Sequence, residues 1–344
     1  WCADFVPLLV LILGFDVHAS TALSQACLAG GSITATAYSA QAAHPSGNGP
    51  LIDWHLLLIT TPPLLLGSLC GSLLNSWMPD IGILVLLDLV LVYAFYTTIR
   101  KAMNAWRQET AVRLDGATAP LKPPAPAVVG AQPSGGGHPL GDVALFAATW
   151  LLVILSTFAR GGEQCPGLVP SGSPAYWLLT ALTGSALIAL SVAGKRRVLG
   201  KSQPTTVKGH LAYTEEMVRT LRIWSLGGGV VAALCGIGGG MIMGPILLEV
   251  GVIPQVQSAT TGAMLLVVST STAIGYIVQG AAPLDYSVFF ACSTGVGAVL
   301  GKVCITAMIK RFGRPSLVIF LLAILILVSV ILMTATGIVN VLAS

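Results

Sequence analysis

The sequence predicts an all-α fold, that of a polytopic helical membrane protein. Hydrophobic residues make up 55% of the 344 positions and charged residues only 9%, which is far from the balance of a water-soluble domain. Apolar runs of about 20 residues, the length that crosses the hydrocarbon core of a bilayer, recur along the whole chain. Two parts of the chain also resemble each other, as in proteins built from an internal repeat.

Hydropathy gives the order of the membrane segments. The predicted segments are a short apolar piece at 1–13, spans at 18–40, 51–73, 81–103, 142–160 and 174–194, an interrupted segment at 221–250, and spans at 256–278, 284–306 and 316–342. Span 18–40 is the least apolar, so we expect neighbouring helices to shelter it from lipid. The stretch "APLKPPAPAVVGAQPSGGGHPL" makes 104–141 a predicted flexible linker, because proline and glycine disfavour packing there.

The repeat is visible as an alignment of landmarks. "FVPLLVLILGFDVHASTALSQACLAGGS" lines up with "MGPILLEVGVIPQVQSATTGAMLLVVSTS", which places Pro7 over Pro245 and Thr21 over Thr260. Further on, Gly67-xxx-Gly71 corresponds to Gly297-xxx-Gly301, a spacing of small residues that lets membrane helices approach closely. The sequence therefore predicts two repeats, each with a short helix at a glycine break plus three spans.

The basic residues predict how these repeats are oriented. The net charge of +4 comes from Lys and Arg in 100–113, 195–208 and 310–314, whereas the alternate connections at 74–80, 161–173 and 279–283 contain neither residue. Placing the basic loops in the cytoplasm gives the two repeats opposite orientations. It also puts both ends of the interrupted segment on the cytoplasmic side. Inverted repeats with broken helices are a recurring architecture of secondary transporters.

The predicted organisation has five parts. They are a first repeat at 1–103 that is incomplete at its N-terminus, the linker at 104–141, two extra spans at 142–194, a basic cytoplasmic loop at 195–220 and the second repeat at 221–344. The expected localisation is therefore that of an integral multi-pass membrane protein.

The interruption itself reads "ALCGIGGGMIMGPILLEVG". Non-helical backbone at membrane depth is tolerated only where protein buries it or a cavity solvates it. We expect the helix to restart around Pro245, since proline suits the first turn, and its free N–H groups to attract a small anion. The candidate binding groups are the backbone of Gly238, Gly239 and Gly240 and the helix start at Pro245 with its counterpart Pro7. The alternative is a tightly packed helix hairpin that binds no ligand.

Hydroxyl side chains follow a helical spacing in both repeats. Thr260 and Ser271 are eleven residues apart, as are Thr21 and Ser32, and eleven residues return a helix to about the same face. The recurrence favours a cavity lining. The alternative is that these hydroxyls bond carbonyls of their own helices.

Asp88 lies inside "LVLLDLVLVY", where a carboxylate costs roughly 2.5–3.5 kcal/mol on insertion scales. One interpretation is a proton-coupling group. The other, which we favour, is a carboxyl group that bonds a neighbouring helix or lies nearer the interface. His44 and His55 have no metal-ligand spacing and the seven cysteines form no CxxC pair, so neither a metal nor a cofactor is expected.

Three stretches carry a resemblance to a known family. "GIGGGMIMGPILLEVGVIPQVQSAT", "GFDVHASTALSQACLAGGS" and "KRFGRPSLVIFLLAILILVSVI" resemble the sulfite exporter TauE/SafE family, closest to its eukaryotic members, over about 6–103 and 221–335. The resemblance implies a permease for small sulfur-containing anions such as sulfite or organosulfonates. Two departures from the family are the missing glycine break in the first half and Asp88, where the family is usually apolar.

The predicted function is secondary transport of such an anion by alternating access around a midplane site. The alternative is a non-transporting membrane scaffold or receptor subunit that retains the fold. Catalysis is not expected, because no Ser/His or carboxylate pair stands at catalytic spacing. The expected partners are the small sulfur-containing anion and the lipid bilayer, with a homo-oligomer left open and no nucleic acid.

Overall fold

The computed structural model describes residues 5–41, 50–114, 139–162, 167, 169, 173–201, 214–252, 254–312 and 316–343. These residues form eleven helices: α1 Phe5–Leu11, α2 Val17–Gln41, α3 Trp54–Asn75, α4 Asp80–Leu114, α5 Pro139–Arg160, α6 Pro174–Lys201, α7 Glu215–Cys235, α8 Gly240–Glu249, α9 Pro254–Val278, α10 Leu284–Phe312 and α11 Ser316–Ala343. Seven of the described helices are long and apolar enough to cross a membrane. The predicted class, an all-α polytopic membrane protein, is confirmed.

The helices follow the predicted segments, with differences at two predicted loops. Helix α4 continues to Leu114 and α5 begins at Pro139, so the segment predicted as a linker is helical at both of its ends. The residues "NAWRQETAVRL" contain no proline or glycine and include good helix formers. In the same way, α6 continues to Lys201 and α7 begins at Glu215, so the segment predicted as a basic loop at 195–220 is helical at both of its ends. The remainder of the linker (115–138), the middle of the basic loop (202–213) and His44 lie outside the described residues.

Two helices show how side chains fix the helix starts. Asp53 is the N-cap of α3, where its carboxylate accepts hydrogen bonds from the backbone N–H groups of His55 and Leu56. Thr214 caps α7 in the same way, and the acidic residues Glu215 and Glu216 occupy the positive end of that helix. Lys195, within the last two turns of α6, forms an ion pair with Glu215. These contacts place the end of α6 beside the start of α7.

Helix α2 carries many polar and small side chains and is well enclosed. Thr21, Ser24 and Gln25 are all fully buried, because α2 packs against α1, α9 and α10. This agrees with the expectation that neighbours shelter span 18–40. Its polar side chains therefore face protein, where they can find hydrogen-bond partners.

Helices α3 and α7 are in backbone contact through glycine. A Cβ atom built on Gly229 would lie 2.1 Å from the Leu64 carbonyl oxygen, and one built on Gly67 would lie 2.1 Å from the Leu226 carbonyl oxygen. Each helix thus needs a glycine where the other passes, as small-residue packing in membranes requires. The corresponding glycine of the second repeat, Gly297 on α10, has open space around it.

The helix pairs occur in corresponding sets, as two repeats would give. In the repeat, α1, α2, α3 and α4 correspond to α8, α9, α10 and α11. Helix α1 contacts α2, and its counterpart α8 contacts α9. Helix α2 contacts α10, and correspondingly α9 contacts α3, while α4 packs against its own counterpart α11. The inverted orientation of the repeats in a membrane stays a prediction.

Replacing Gly229 by alanine should destabilise the protein, because the new methyl group collides with the backbone of α3 and overpacking costs typically 1–3 kcal/mol. The measurement is the midpoint of thermal unfolding in detergent. The matched control is Gly227→Ala, two residues earlier on α7, where a Cβ meets no heavy atom within 4 Å. Alanine favours a helix over glycine by about 1 kcal/mol, so the control should unfold at the same or a higher temperature. Equal losses in both variants would contradict the glycine contact.

Candidate functional site at a broken helix

The break between α7 and α8 consists of residues 236–239. Gly236 ends α7 in the left-handed conformation with φ of 68°, and Gly238 also has a positive φ of 73°. Residues with a Cβ atom rarely adopt these angles, so glycine is required at both positions. Gly239 has a helical φ of −64° and begins α8 without a side-chain cap. The N–H groups of the first turn of α8 are therefore not covered by a capping side chain.

The expected helix start at Pro245 is wrong. Helix α8 begins at Gly240, and Pro245 is its sixth residue. Proline has a φ compatible with a helix and removes only one hydrogen bond, so it interrupts the bonding of α8 without ending the helix. Its counterpart Pro7 is buried and is the third residue of α1, where an N–H group would have no intrahelical partner.

The chain enters the bundle through α7 and returns through α8. Val218 and Leu221 near the start of α7 share one apolar cluster with Leu247 near the end of α8. Cys235 and Ile237 at the break belong to a different cluster, with residues of α1, α2 and α4. The start of α7 and the end of α8 thus pack in one apolar cluster, and the break packs in another.

Side chains from three helices satisfy the carbonyl oxygens that the end of α7 leaves free. Gln25 Nε2 donates to Ala232 O at 2.7 Å, and Tyr276 Oη donates to Ala233 O at 2.9 Å. Asn75 Nδ2 donates to Leu234 O at 3.0 Å, and Ser24 Oγ donates to Gly236 O at 2.7 Å. A helix that ends inside an apolar bundle needs such partners, because water cannot supply them. This group of donors fixes where α7 stops.

None of these four donors was among the residues predicted from the sequence. The available signal was a polar side chain inside an apolar span, which marks a position that faces protein. That signal applies to Gln25 and Tyr276 but does not identify their partners. Asn75 is further held by His18, whose Nδ1 lies 3.1 Å from Asn75 Oδ1.

A cavity of about 430 Å³ lies between α1, α2, α9 and α10. Its walls are mainly apolar, with hydroxyl groups from Ser32, Ser293 and Thr294. Leu28 and Leu265 line the cavity and are also the nearest neighbours of a Cβ atom built on Gly238, at 3.1 Å and 2.5 Å. These two leucine side chains therefore stand between the cavity and the broken backbone.

The predicted hydroxyl face divides into different environments. Thr21 Oγ1 donates to Val17 O at 2.9 Å within its own helix, which is the alternative left open from the sequence. Ser32 lines the cavity, donates to Ala29 O at 3.0 Å and lies 3.4 Å from Ser269 Oγ on α9. The structure thus brings one of these two α2 hydroxyls to the cavity.

The α9 hydroxyls differ in the same way. Thr260 Oγ1 accepts a 3.1 Å hydrogen bond from the backbone N–H of Asp53 and so ties α9 to the start of α3. Ser271 is buried, and its Oγ has no hydrogen-bond partner. A binding role for the predicted hydroxyls stays a prediction.

Asp88 contacts a neighbouring helix. Both of its carboxylate oxygens lie 3.2 Å from Thr334 Oγ1, which links α4 to α11. This contact matches the interpretation that we favoured, and a coupling role for Asp88 stays a prediction.

Elsewhere, His55 Nε2 lies 3.9 Å from Asp142, which also pairs with Arg197 at 2.9 Å. Across the described part of the chain, no group of three His, Cys, Asp or Glu side chains could hold a metal ion.

The fold and the break define the class, an integral multi-pass membrane protein with a glycine-broken helix pair. The chain is similar to three proteins of Arabidopsis thaliana. It is 29% identical to sulfite exporter TauE/SafE family protein 3, over 98% of this chain and 74% of that protein. The identity is 26% to family protein 5, over 97% of this chain and 77% of that protein, and 27% to family protein 1, over 98% of this chain and 79% of that protein. The resemblance to the sulfite exporter TauE/SafE family is therefore confirmed along nearly the whole chain. No family model and no solved structure matches this chain.

Replacing Tyr276 by phenylalanine should lower the thermal unfolding midpoint. The change removes only the hydroxyl group and leaves the Ala233 carbonyl oxygen without this donor in a buried site, at a cost of about 1–3 kcal/mol. The control is Tyr286→Phe, since Tyr286 is half exposed at 50%. An unchanged midpoint in Tyr276→Phe would show that the capping bond does not stabilise the break.

Proposed function

We propose that this protein is a secondary transporter of small sulfur-containing anions, with sulfite or an organosulfonate as substrate. The names of the Arabidopsis relatives, which describe sulfite exporters, support this proposal. The observation in the chain itself that carries it is the uncapped start of α8 inside the bundle. A helix start of this kind favours an anion through its free N–H groups and its positive dipole end.

The neighbouring cavity supplies a route to this helix start. Leu28 and Leu265 separate the cavity from Gly238, so a change of rotamer in these two side chains would join the cavity to the break. Transporters with repeats move one repeat against the other around a site of this type. Leu28 belongs to α2 of the first repeat and Leu265 to α9 of the second, so such a movement would change the distance between them.

The end of α7 supports this role in a different way. Its carbonyl oxygens would repel an anion, but four side-chain donors already bond them. The partial charges presented at the break are therefore dominated by the N–H groups of α8. This asymmetry favours an anion over an empty helix hairpin.

Labelling from one side of the membrane tests the inverted repeat. On a cysteine-free background, Ser76→Cys at the end of α3 and Asp285→Cys at the start of α10 should react with an impermeant maleimide from the same side. Glu216→Cys at the start of α7 should react from the opposite, cytoplasmic side. Helices α3 and α10 are corresponding members of the two repeats, so labelling of positions 76 and 285 from opposite sides would mean that the repeats are parallel.

Anion uptake into liposomes tests the transport. We expect labelled sulfite, sulfate or an organosulfonate to enter liposomes that hold the protein faster than it enters empty ones. Gly238→Ala should reduce this uptake at least about tenfold, because a loss of 1.4 kcal/mol in binding or activation already gives that factor. The new methyl group would need the strained positive φ and would collide with Leu265.

Gly227→Ala, where the added methyl group meets open space, is the control and should transport like the parent protein. Thermal unfolding of both variants separates lost transport from lost folding. If a folded Gly238→Ala variant takes up the anion as fast as the parent protein, the break takes no part in transport. If the parent protein transports none of the three anions, the scaffold alternative is favoured instead.

A further inference from the structure

Three glycines on three helices line the cavity beside the break. They are Gly31 on α2, Gly262 on α9 and Gly297 on α10. A Cβ atom built on any of them meets no heavy atom within 4 Å, and none of the three has a positive φ. Neither packing nor backbone conformation therefore requires glycine at these positions, although alanine would favour each helix more than glycine does.

Gly297 shows this most clearly, because its counterpart in the first repeat has a different environment. A Cβ atom on Gly67 would lie 2.1 Å from the Leu226 carbonyl oxygen, so close packing explains the glycine there. No such contact exists at Gly297. What the missing side chain provides at Gly297 is open space at the wall of the cavity, and the same holds for Gly31 and Gly262.

The walls of the cavity suit an apolar group better than a charged one. None of the described residues that line it is Asp, Glu, Lys, Arg or His. Two of its hydroxyl groups are committed to backbone carbonyls: Thr294 Oγ1 lies 2.7 Å from Phe290 O and 2.8 Å from Cys27 O, and Ser32 Oγ lies 3.0 Å from Ala29 O. A charged group would lose its hydration here without a replacement, whereas an apolar group gains by leaving water.

The size of the cavity separates the two kinds of substrate. Its volume of about 430 Å³ falls in the range of pockets that bind small organic molecules, roughly 300–1,000 Å³. A water molecule takes about 30 Å³ in the liquid, so sulfite, a single sulfur atom with its oxygens, would leave most of the cavity empty. The cavity therefore fits the organic part of a larger anion.

We propose that Gly31, Gly262 and Gly297 determine substrate specificity by keeping room in this cavity for an aliphatic chain of the transported anion. The inference rests on the proposed transport function, in which the charged group binds at the start of α8, and it narrows the substrate to an organosulfonate with an apolar chain. Leu28 and Leu265 line the cavity and stand next to Gly238. The chain and the charged group would thus be separated by the thickness of one leucine side chain, and the rotamer change that opens the cavity to the break joins them.

The test compares alkanesulfonates of increasing length, from methanesulfonate to butanesulfonate, on the purified full chain in detergent. Affinity is obtained from the rise of the thermal unfolding midpoint with ligand concentration at constant ionic strength. We expect the affinity to increase about fourfold for each added CH₂ group, because each one enters the apolar cavity. Butanesulfonamide, which has the same chain and no charge, should bind at least about tenfold more weakly than butanesulfonate.

The combined variant Gly31→Ala, Gly262→Ala and Gly297→Ala tests the role of the glycines. A purely structural role predicts an equal or higher unfolding midpoint and unchanged binding, since the methyl groups meet open space and alanine favours a helix. Our proposal predicts an equal or higher midpoint with binding of butanesulfonate weakened at least about tenfold, the loss expected when about two CH₂ groups no longer fit. Methanesulfonate should bind as it does to the parent protein.

The matched control is Gly275→Ala. Gly275 lies on α9 like Gly262, and a Cβ atom there also meets open space, but Gly275 does not line the cavity. This variant should bind every alkanesulfonate like the parent protein. If the combined variant does not fold, the three single variants replace it, and each should weaken the binding of butanesulfonate more than that of methanesulfonate.

The remaining outcomes separate this proposal from the transport function. Equal affinities for methanesulfonate and butanesulfonate, or parent-like binding of butanesulfonate by the alanine variants, would overturn the proposal. Equal binding of butanesulfonate and butanesulfonamide would also overturn it, because the cavity would then take any apolar chain, such as that of a lipid. The expected series of affinities in a protein that moves no anion into liposomes supports the chain site while the transport function fails. Sulfite uptake by a protein that does not bind butanesulfonate supports transport and overturns the chain site.

Discussion

The requirement that every buried backbone polar group finds a partner governs this fold, and it is hardest to meet where α7 ends inside the bundle. Its carbonyl oxygens are bonded by side chains of α2, α3 and α9. Those helices must therefore stand where Gln25, Asn75 and Tyr276 reach the same turn. The position of one helix end thus constrains the packing of three other helices, and the enclosed, polar character of α2 follows from this task.

Glycine meets this requirement in two different ways. At Gly236 and Gly238 it supplies backbone angles that turn the chain within four residues. At Gly67 and Gly229 it lets α3 and α7 touch backbone to backbone, which holds the end of α7 close to its donors. Loss of the second kind of glycine would therefore disturb the break from a distance, since a displaced α7 moves its carbonyl oxygens away from side chains on other helices.

Local pattern was enough to predict the helices and the return of the chain at the break, because hydropathy, basic loops and glycine act over short stretches of sequence. The partners of the break were not predictable in this way. Asn75 and Leu234 are 159 residues apart, and Gln25 and Ala232 are 207 apart. The helix start was misplaced at Pro245 because proline is tolerated inside a helix as well as at its beginning. Equal spacing likewise could not show that Thr21 bonds its own helix while Thr260 bonds the backbone of Asp53.

The break places two opposite helix ends within one short segment. The end of α7 is the negative end of its helix dipole, but side-chain donors bond its carbonyl oxygens. The start of α8 is the positive end of its helix dipole and lacks a side-chain cap. The two ends therefore differ in what they can offer a ligand. The polar groups at the end of α7 are bonded within the protein, whereas the N–H groups at the start of α8 have no side-chain cap. A broken helix with this asymmetry favours negative charge at the break, which is the charge of the proposed substrate.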